Sequence, residues 1–373
     1  MWRLVLTVSL LCCSSEGSVT CRDEGDNPVD WYILYKTPRN PQLDGLDYIY
    51  IYPGANDEAN SLRKKNINNP EGVLANTLQP LFKFDKNNPP KNFGFISYND
   101  DVPEGYPASA SASASASASA DTSGGSAPSS FGHSKGVVMV EKNDPRGTTG
   151  TGVWLLHSTP KFPYKRDKDH FWPESGARNA QTFICVTFPY KTFKDIGEHL
   201  QLIRAFPFDY HIPSDFHKTL QEVKNKESHS TPKNPKLHEL TSSGQKDFYS
   251  IAKQVSADGK PEDGDLYFSI SEEIDSDVKV QSWGCQQDRD VSFCSQKKKV
   301  QNILFVDIGW AEWDSGSDHS KWCVAVDQNK PWTCIADVNR SESQYNRLGG
   351  ALCINDEKVT NLFKGFAKYV EKC

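Results

Sequence analysis

The sequence predicts a mixed α/β fold in which two similar halves of one chain share a single site. Three observations support this prediction. Segments typical of strands and of helices are mixed in both halves of the 373-residue chain, whose 37% hydrophobic and 24% charged residues are typical of a globular protein. The tripeptide His-Ser-Lys occurs at residues 133–135 and again at residues 319–321. Each copy lies at the head of a pair of predicted strands, so the chain repeats one layout.

Residues 1–17 have the features of a secretory signal peptide. Arg3 supplies a positive charge, an apolar run extends from Leu4 to Cys13, and small residues follow near Gly17. No later segment contains the roughly 18 uninterrupted apolar residues that a membrane-spanning helix needs. We therefore expect a soluble mature protein of the secretory pathway, either secreted or lysosomal.

The first half, residues 18–206, is predicted to mix strands with two helices. Aromatic and β-branched residues predict the strands, while Asn69, Pro70 and Glu71 predict the start of the first helix. The predicted strands are Val29–Lys36, Leu46–Tyr52, Phe93–Tyr98, His133–Glu141, Gly152–Ser158 and Gln181–Phe188, and the helices run from Asn69 to Phe82 and from Thr192 to Phe206.

Residues 107–130 are predicted to form a flexible surface loop within this half. They contain a strict alternation of Ser and Ala from Ala108 to Ala120. Such small side chains bury too little apolar area to offset the entropy that is lost on ordering.

The second half, residues 207–373, is predicted to have the same mixed character. Its last helix carries apolar residues along one face, which indicates packing against a core. The predicted helices are Pro213–Lys224, Ser243–Val255 and Asp356–Tyr369, and the predicted strands are Asp265–Ser271, Val278–Trp283, Ile303–Ile308, Lys321–Asp327 and Trp332–Asp337.

The two His-Ser-Lys segments are the candidate catalytic residues. Alternate side chains of a strand share one face, so His133 and Lys135 point into the same space, as do His319 and Lys321. Two imidazoles and two ammonium groups would form a site for an anion. The second strand of each pair adds a hydrogen-bonding side chain that could position the substrate, His157 in the first half and Asn339 in the second.

This residue set fits the cleavage of a phosphodiester. One neutral imidazole can attack phosphorus to give a phosphohistidine, one protonated imidazole can donate to the leaving oxygen, and two lysines can replace a metal ion. The residues alone leave open which histidine has which role. The formal charge is −6 with histidines neutral, but protonation of all nine histidines changes it to +3. An acidic compartment would therefore favour binding of DNA.

The cysteine content agrees with an oxidising compartment. Eight cysteines follow the predicted signal peptide, and this even number predicts four disulfides, with 105 possible connectivities. No C-x-x-C motif occurs, so neither a zinc site nor a redox motif is expected, and we expect no metal or cofactor.

Several segments together resemble the deoxyribonuclease II family over nearly the whole mature chain. They are His133–Val137, Trp154–Pro160, Asp318–Cys323, Pro331–Cys334 and Pro28–Trp31. The resemblance implies a phospholipase D-like fold, a pseudo-dimer whose two α/β halves meet at one active site. It also implies metal-independent endonucleolytic cleavage of DNA at acid pH, leaving 3′-phosphates. It slightly favours His133 over His319 as the nucleophile. The Ser-Ala loop departs from the family pattern.

The resemblance further implies a disulfide pattern. It suggests the pairs Cys21–Cys185, Cys323–Cys334 and Cys294–Cys353, which leaves Cys285 to pair with Cys373. Cys285 and Cys294 are the two positions most open to exchange.

Two other functions remain open from the sequence. A lipid phosphodiesterase could use the same His and Lys set, although no strongly amphipathic basic helix is evident to bind a membrane. A secreted toxin could keep the fold with an inactive site, although all four catalytic candidates are present. DNA is the expected partner, with the chain acting either as a monomeric pseudo-dimer or as a homodimer.

Overall fold

Two large β-sheets form the framework of the computed structural model, which describes residues 19–54, 65–108, 124–144, 149–227, 234–255 and 264–373. The predicted signal peptide at residues 1–17 and residues 109–123 of the predicted loop lie outside the described residues. The prediction of a mixed α/β fold is confirmed.

The N-terminal sheet has seven strands, and every neighbouring pair is antiparallel. Its central strands are covered on both faces. In the strand Trp31–Lys36, Ile33 and Tyr35 face a core shared with the other sheet, whereas Tyr32 and Leu34 face an outer core. In order across the sheet, the strands are Pro207–His211, Phe93–Asn99, Lys135–Glu141, Thr151–His157, Gln181–Pro189, Trp31–Lys36 and Tyr48–Ile51. The edge strand Pro207–His211 of this sheet follows residue 206, the predicted boundary between the two halves.

The C-terminal sheet has ten strands and one parallel pair, Val278–Gln281 with Lys299–Asp307. Glu312–Asp314 and Ala367–Val370 both pair with Lys299–Asp307, beside the main order. That order is Lys236–Thr241, Asp247–Ala252, Gly350–Asn355, Trp332–Ala336, Trp322–Ala325, Val278–Gln281, Lys299–Asp307 and Phe293–Cys294. Three short antiparallel pairs complete the strands of the described residues: Cys21–Arg22 with Pro28–Val29, Arg39–Asn40 with Leu43–Asp44, and Asp101–Val102 with Gly125–Ser126.

Helices cover both outer faces and contribute to the shared core. Val73–Phe82 packs on the outer face of the N-terminal sheet and Leu266–Glu273 on that of the C-terminal sheet. The shared core contains Phe193–Leu202, Lys218–Lys224 and Glu357–Phe366. Complete burial of one large apolar side chain contributes about 1.5–3 kcal/mol, so this core holds the two sheets together. The short helices are Glu342–Tyr345, Glu174–Ala177, Tyr190–Thr192 and Ser315–Ser317.

Two predicted elements of the second half have the opposite type. The helix predicted at Ser243–Val255 is wrong, because Asp247–Ala252 is a strand paired on both sides. The strand predicted at Asp265–Ser271 is also wrong. There the Asp265 carboxylate accepts hydrogen bonds from the backbone N–H groups of Tyr267 and Phe268, and this cap starts the helix Leu266–Glu273.

Part of the predicted flexible loop at residues 107–130 is ordered. Gly125–Ser126 pairs with Asp101–Val102, and Ala127 is buried with Phe206 and Phe208 in a small apolar cluster. The expectation of a flexible loop is therefore wrong for residues 125–127, which are held by backbone pairing and by apolar burial.

The disulfides confirm one predicted pair and correct the others. Cys21–Cys185 is present, but the remaining bonds are Cys294–Cys373 and Cys334–Cys353. Cys334 lies opposite Cys323 on one side and Cys353 on the other, and it can bond only one of them. The predicted pairs Cys323–Cys334, Cys294–Cys353 and Cys285–Cys373 are therefore wrong, and Cys323 and Cys285 are free thiols. No helix in the described ranges is long and apolar enough to cross a membrane.

Candidate active site

Both His-Ser-Lys segments lie at the start of similar three-stranded arrangements. Lys135 begins the strand Lys135–Glu141, and Lys321 immediately precedes the strand Trp322–Ala325. Each strand pairs with the next one along the chain, which pairs in turn with a third. These partners are Thr151–His157 and Gln181–Pro189 in the N-terminal sheet, and Trp332–Ala336 and Gly350–Asn355 in the C-terminal sheet.

Each histidine is held by a backbone carbonyl of the opposite half. The backbone N–H of His133 donates to the carbonyl of Leu348 at 2.9 Å, and the backbone N–H of His319 donates to the carbonyl of Ala180 at 3.0 Å. Leu348 and Ala180 both lie just before the third strand of their arrangement. The reciprocal bonds bring the two segments together where the sheets meet.

The His133 ring has a defined tautomer. Its Nδ1 lies 2.6 Å from the backbone oxygen of Asp337. A carbonyl oxygen only accepts, so Nδ1 carries the proton and Nε2 keeps the lone pair. Burial, together with repulsion from Lys135 and Lys321, holds the pKa of His133 well below its usual value, although Asp100 opposes this shift. A neutral imidazole with a free Nε2 is a nucleophile.

Asp100 is the anion at the centre of this half of the site. Its carboxylate bonds Lys135 Nζ, lies 3.0 Å from Arg347 Nη2 and 3.8 Å from His133 Nε2. Burial disfavours the charged carboxylate, but the electrostatic interactions with His133, Lys135 and Arg347 outweigh burial and hold the pKa of Asp100 below its usual value. Asp100 therefore stays ionised in acid and fixes the Lys135 ammonium.

His319 is supported by a buried carboxylate and an indole. The Asp318 carboxylate accepts hydrogen bonds from the Tyr35 hydroxyl, from Trp313 Nε1 at 2.8 Å and from the Ser320 N–H at 2.8 Å. The Trp283 ring packs edge-on against the imidazole of His319, with centroids 4.4 Å apart. Burial and the nearby Lys321 and Lys135 lower the pKa of His319 to about 3.

Lys321 and Asp337 titrate far from their usual ranges. Lys321 Nζ donates to the carbonyl of His319 at 2.6 Å. Burial and repulsion from Lys135 lower the pKa of Lys321 to about 7. Burial raises the pKa of Asp337 to about 8, although the Gly350 N–H and the Lys135 charge oppose this shift. Below pH 7 the site therefore holds a charged Lys321 and a neutral Asp337.

His157 lies behind Lys135 in an aromatic pocket. Its ring packs against Phe162 and Phe183, and only 1% of the residue is exposed. The Thr159 N–H donates to His157 Nδ1 at 3.2 Å. Burial, together with the Lys135 charge, lowers the pKa of His157 well below its usual value. The side chain is close enough to Lys135 to feel its charge, but it is covered by protein.

Asn339 lies on the His319 side of the site. Its Oδ1 accepts a hydrogen bond from the backbone N–H of Trp283 at 3.2 Å, so Asn339 fixes the residue whose ring packs against His319. Its own backbone N–H donates to Gln344 Oε1 at 2.7 Å. The structure therefore brings together all four catalytic candidates and places the two predicted positioning residues behind them.

We expect Asn339 to carry no glycan, although Asn339-Arg340-Ser341 is a glycosylation sequon. Only 5% of Asn339 is exposed, so a sugar on its side chain would displace Trp283. Peptide mass spectrometry of active protein from a glycosylating host should find unmodified Asn339. A glycan on that peptide at full activity would contradict the position of Asn339 beside the site.

Three charged residues of the site were not predicted from the sequence: Asp100, Arg347 and Asp337. Asp100 and Arg347 are about 250 residues apart, and the sequence around them carries no motif that pairs them with His133. Asp337 had a weak signal, because it directly follows the strand Trp332–Ala336 that pairs with the second His-Ser-Lys strand.

Metal-binding geometry occurs elsewhere in the described part of the chain. Asp195, Glu198 and His238 form a group of three side chains that could hold a metal ion. None of the three belongs to the site around His133 and His319.

Comparison with known proteins supports a nuclease site. The family model described as deoxyribonuclease II matches residues 20–373. The chain is 30% identical to plancitoxin-1 of Acanthaster planci, over 99% of this chain and 97% of that protein. It is 31% identical to deoxyribonuclease-2-alpha of Sus scrofa, over 96% of this chain and 91% of that protein. It is 28% identical to human deoxyribonuclease-2-beta, over 99% and 96% of the two chains.

Proposed function

The chain belongs to the deoxyribonuclease II family, and we propose that it is an acid endodeoxyribonuclease that hydrolyses DNA phosphodiester bonds without a metal ion. The reciprocal bonds of His133 and His319 carry this proposal, because they bring two imidazoles and two lysines to one place. The three-stranded arrangement around each His-Ser-Lys supports a phospholipase D-like pseudo-dimer within one chain.

We assign His133 as the nucleophile, because its Nδ1 donates to the Asp337 carbonyl and leaves Nε2 free to react. In the first step, His133 Nε2 attacks phosphorus and the bond from phosphorus to the 5′-oxygen breaks. His319 donates a proton to that oxygen, and the 3′-phosphoryl group stays on His133 as a phosphohistidine. The products of this step are a 5′-hydroxyl end and the covalent intermediate.

In the second step, water attacks the phosphohistidine. His319 accepts a proton from the water, and the bond between phosphorus and His133 breaks to release a 3′-phosphate end. Lys135 and Lys321 stabilise the phosphoryl oxygens in both steps, as a metal ion does in many other nucleases. A bound phosphodiester would place negative charge beside His319, which opposes both the burial and the repulsion from Lys321 that lower its pKa, so we propose that His319 holds a proton in the complex.

The remaining residues position this set. Asp100 fixes Lys135 and is itself paired with Arg347. Asp318 fixes the His319 segment, and Asn339 holds Trp283 against His319. His157 supports Lys135 from behind. Because it is buried, we propose that it positions Lys135 and does not contact the phosphate itself.

The compartment follows from the same chemistry. Three disulfides fit an oxidising environment, and the charged state of Lys321 requires a pH below about 7. We propose that the protein is secreted or lysosomal and that its partner is DNA, bound by a single chain or by a homodimer.

We expect the purified protein to nick supercoiled plasmid at pH 5 in the presence of EDTA, and to lose activity as the pH rises through about 7 to 8. The reason is that Lys321 loses its charge and Asp337 becomes an anion over this range. End analysis with a phosphatase and a kinase should find 3′-phosphate and 5′-hydroxyl ends. Loss of nicking on chelation, or 5′-phosphate ends, would contradict the mechanism.

A further inference from the structure

Two carboxylates and one imidazole converge where a helix of the first half meets the edge of the C-terminal sheet. Asp195 and Glu198 are three residues apart on the helix Phe193–Leu202 and so share one face. His238 lies on Lys236–Thr241, the edge strand of the C-terminal sheet. One potential ligand atom from each of the three lies within 4.8 Å of the others. The fold, and not the local sequence, brings these groups together.

The hydrogen bonding of this group is incomplete. His238 Nε2 is buried and has no hydrogen-bond partner among the described residues. Asp195 forms no ion pair with any residue that the structure describes, and Glu198 has only Lys194, at 3.6 Å. Two like charges one helical turn apart repel each other, and a buried polar atom without a partner is unfavourable. A cation placed between the three groups would satisfy all of them.

We propose that Asp195, Glu198 and His238 bind one Zn²⁺ ion. Imidazole nitrogen and carboxylate oxygen are both ordinary zinc ligands, and three protein ligands leave a fourth position for water. Magnesium and calcium prefer oxygen ligands only, so the imidazole favours zinc over them.

The neighbouring groups permit a cation here. His199 is the next residue along the helix from Glu198, and its ring packs against Trp154 in the shared core. Lys194 is the cation paired with Glu198, and its side chain is 63% exposed, so it can swing away into solvent when zinc binds.

The ion would have a structural role that is separate from catalysis. The helix Phe193–Leu202 comes from the first half of the chain and lies in the shared core, whereas the edge strand belongs to the C-terminal sheet, so the ion would add a further link between the two halves. None of the three side chains contacts His133, Lys135, His319 or Lys321. The site therefore goes beyond the proposed nuclease function, which needs no metal.

Titration calorimetry and thermal unfolding at pH 7.5 test this proposal on protein that has been stripped with EDTA and dialysed. Histidine must be neutral to bind a metal, which sets the pH. We expect one zinc ion per chain and a rise of several degrees in the temperature midpoint of unfolding.

His238→Gln and Asp195→Asn should each weaken zinc binding by more than the roughly 10- to 100-fold that loss of an outer-shell partner costs. His170→Gln, at an exposed His that pairs with Asp167, is the matched control and should bind as the wild type does.

Two outcomes would overturn the zinc site. Equal binding by His238→Gln and the wild type would mean adventitious zinc only, and no binding to the wild type would mean that no site exists. Plasmid nicking, measured on the same stripped protein at pH 5, separates this proposal from the catalytic one. Stripped protein that loses nicking would count against the metal-free mechanism, whereas the calorimetry alone decides the zinc site.

Discussion

Replacing His133 by Ala should lower the rate of plasmid nicking at pH 5 by at least about 1,000-fold, and His319→Ala should have a similar effect. Each substitution removes one of two groups that act in the same two steps. The double variant should therefore be no slower than the more damaged single variant, because the second loss has nothing left to remove. Single-turnover rates on supercoiled plasmid would measure all three effects. His170→Ala, at an exposed histidine, should retain the wild-type rate.

A substrate with a better leaving group distinguishes the roles of the two histidines. Bis(p-nitrophenyl) phosphate releases nitrophenolate without needing a proton, so a missing general acid matters little in its first step. His319→Ala should therefore release a first equivalent of nitrophenolate, with the remaining p-nitrophenyl phosphoryl group trapped on His133. His133→Ala should release none, because no nucleophile remains. The reverse pattern would exchange the two roles, and activity of both variants on DNA would refute the site.

The elements that were predicted correctly are those with a strong local signal. Trp31–Lys36 and Gln181–Pro189 are runs of aromatic and β-branched residues, and such runs favour strands locally. Asp247–Ala252 has a weaker local signal of this kind, in Phe248, Tyr249 and Ile251. It becomes a strand because Lys236–Thr241 and Gly350–Asn355 lie on either side of it, and the latter is about 100 residues away. Pairing over that distance cannot be read from periodicity in a short window.

The same distinction holds at the site. The His and Lys of each His-Ser-Lys segment are two residues apart, and alternate side chains of a strand point to the same side. Both segments could therefore be found from short stretches of sequence. The carbonyls of Leu348 and Ala180, and the ion pairs of Asp100 with Lys135 and Arg347, come from parts of the chain that only the fold brings together. Any residue type has a backbone carbonyl, so nothing in the sequence marks these partners.

Burial explains why the site is suited to acid. Desolvation lowers the pKa of His133 and Lys321 and raises that of Asp337. Below about pH 7 Lys321 is charged, while the lowered pKa of His133 keeps its imidazole neutral in acid that would protonate an ordinary imidazole. A solvent-exposed version of the same residues would have a protonated His133 at pH 5, because an ordinary imidazole titrates near about 6.5. The sequence linked acid to protonation of the nine histidines, whereas these shifts make Lys321 and Asp337 the groups that titrate near neutral pH.

The shifted pKa values also make stability depend on pH, with opposite signs for His319 and Asp337. The pKa of His319 is lowered to about 3, so between that pH and its unfolded value the unfolded chain binds one more proton than the folded chain. This group therefore lowers stability as the solution is acidified from about pH 6.5 to pH 3. Asp337 acts in the opposite direction, because its pKa is raised to about 8 and the folded chain holds the extra proton between about pH 4 and pH 8. Acidification therefore lowers the folding stability through His319 and raises it through Asp337.

Replacing Lys321 by Met should lower nicking at pH 5 by about 100- to 1,000-fold, because it removes one cation from the phosphoryl oxygens. Lys321→Arg tests the origin of the pH limit more directly. The pKa of Lys321 is lowered to about 7, so the lysine loses its charge as the pH rises through 7, whereas arginine stays charged. The arginine variant should lose some rate at pH 5 because its shape differs, but its activity should decline at a higher pH than that of the wild type. Rates of plasmid nicking measured from pH 4 to pH 9 would show both the activity in acid and the pH at which each variant loses it.

Lys253→Met is the matched control, because burial also lowers the pKa of Lys253 to about 7. Its Nζ bonds the carbonyls of Gly264 and Tyr345, away from the site. That variant should unfold at a lower temperature but keep the wild-type pH profile. An arginine variant whose activity falls at the same pH as that of the wild type would show that Lys321 does not set the limit, and would leave ionisation of Asp337 as its cause.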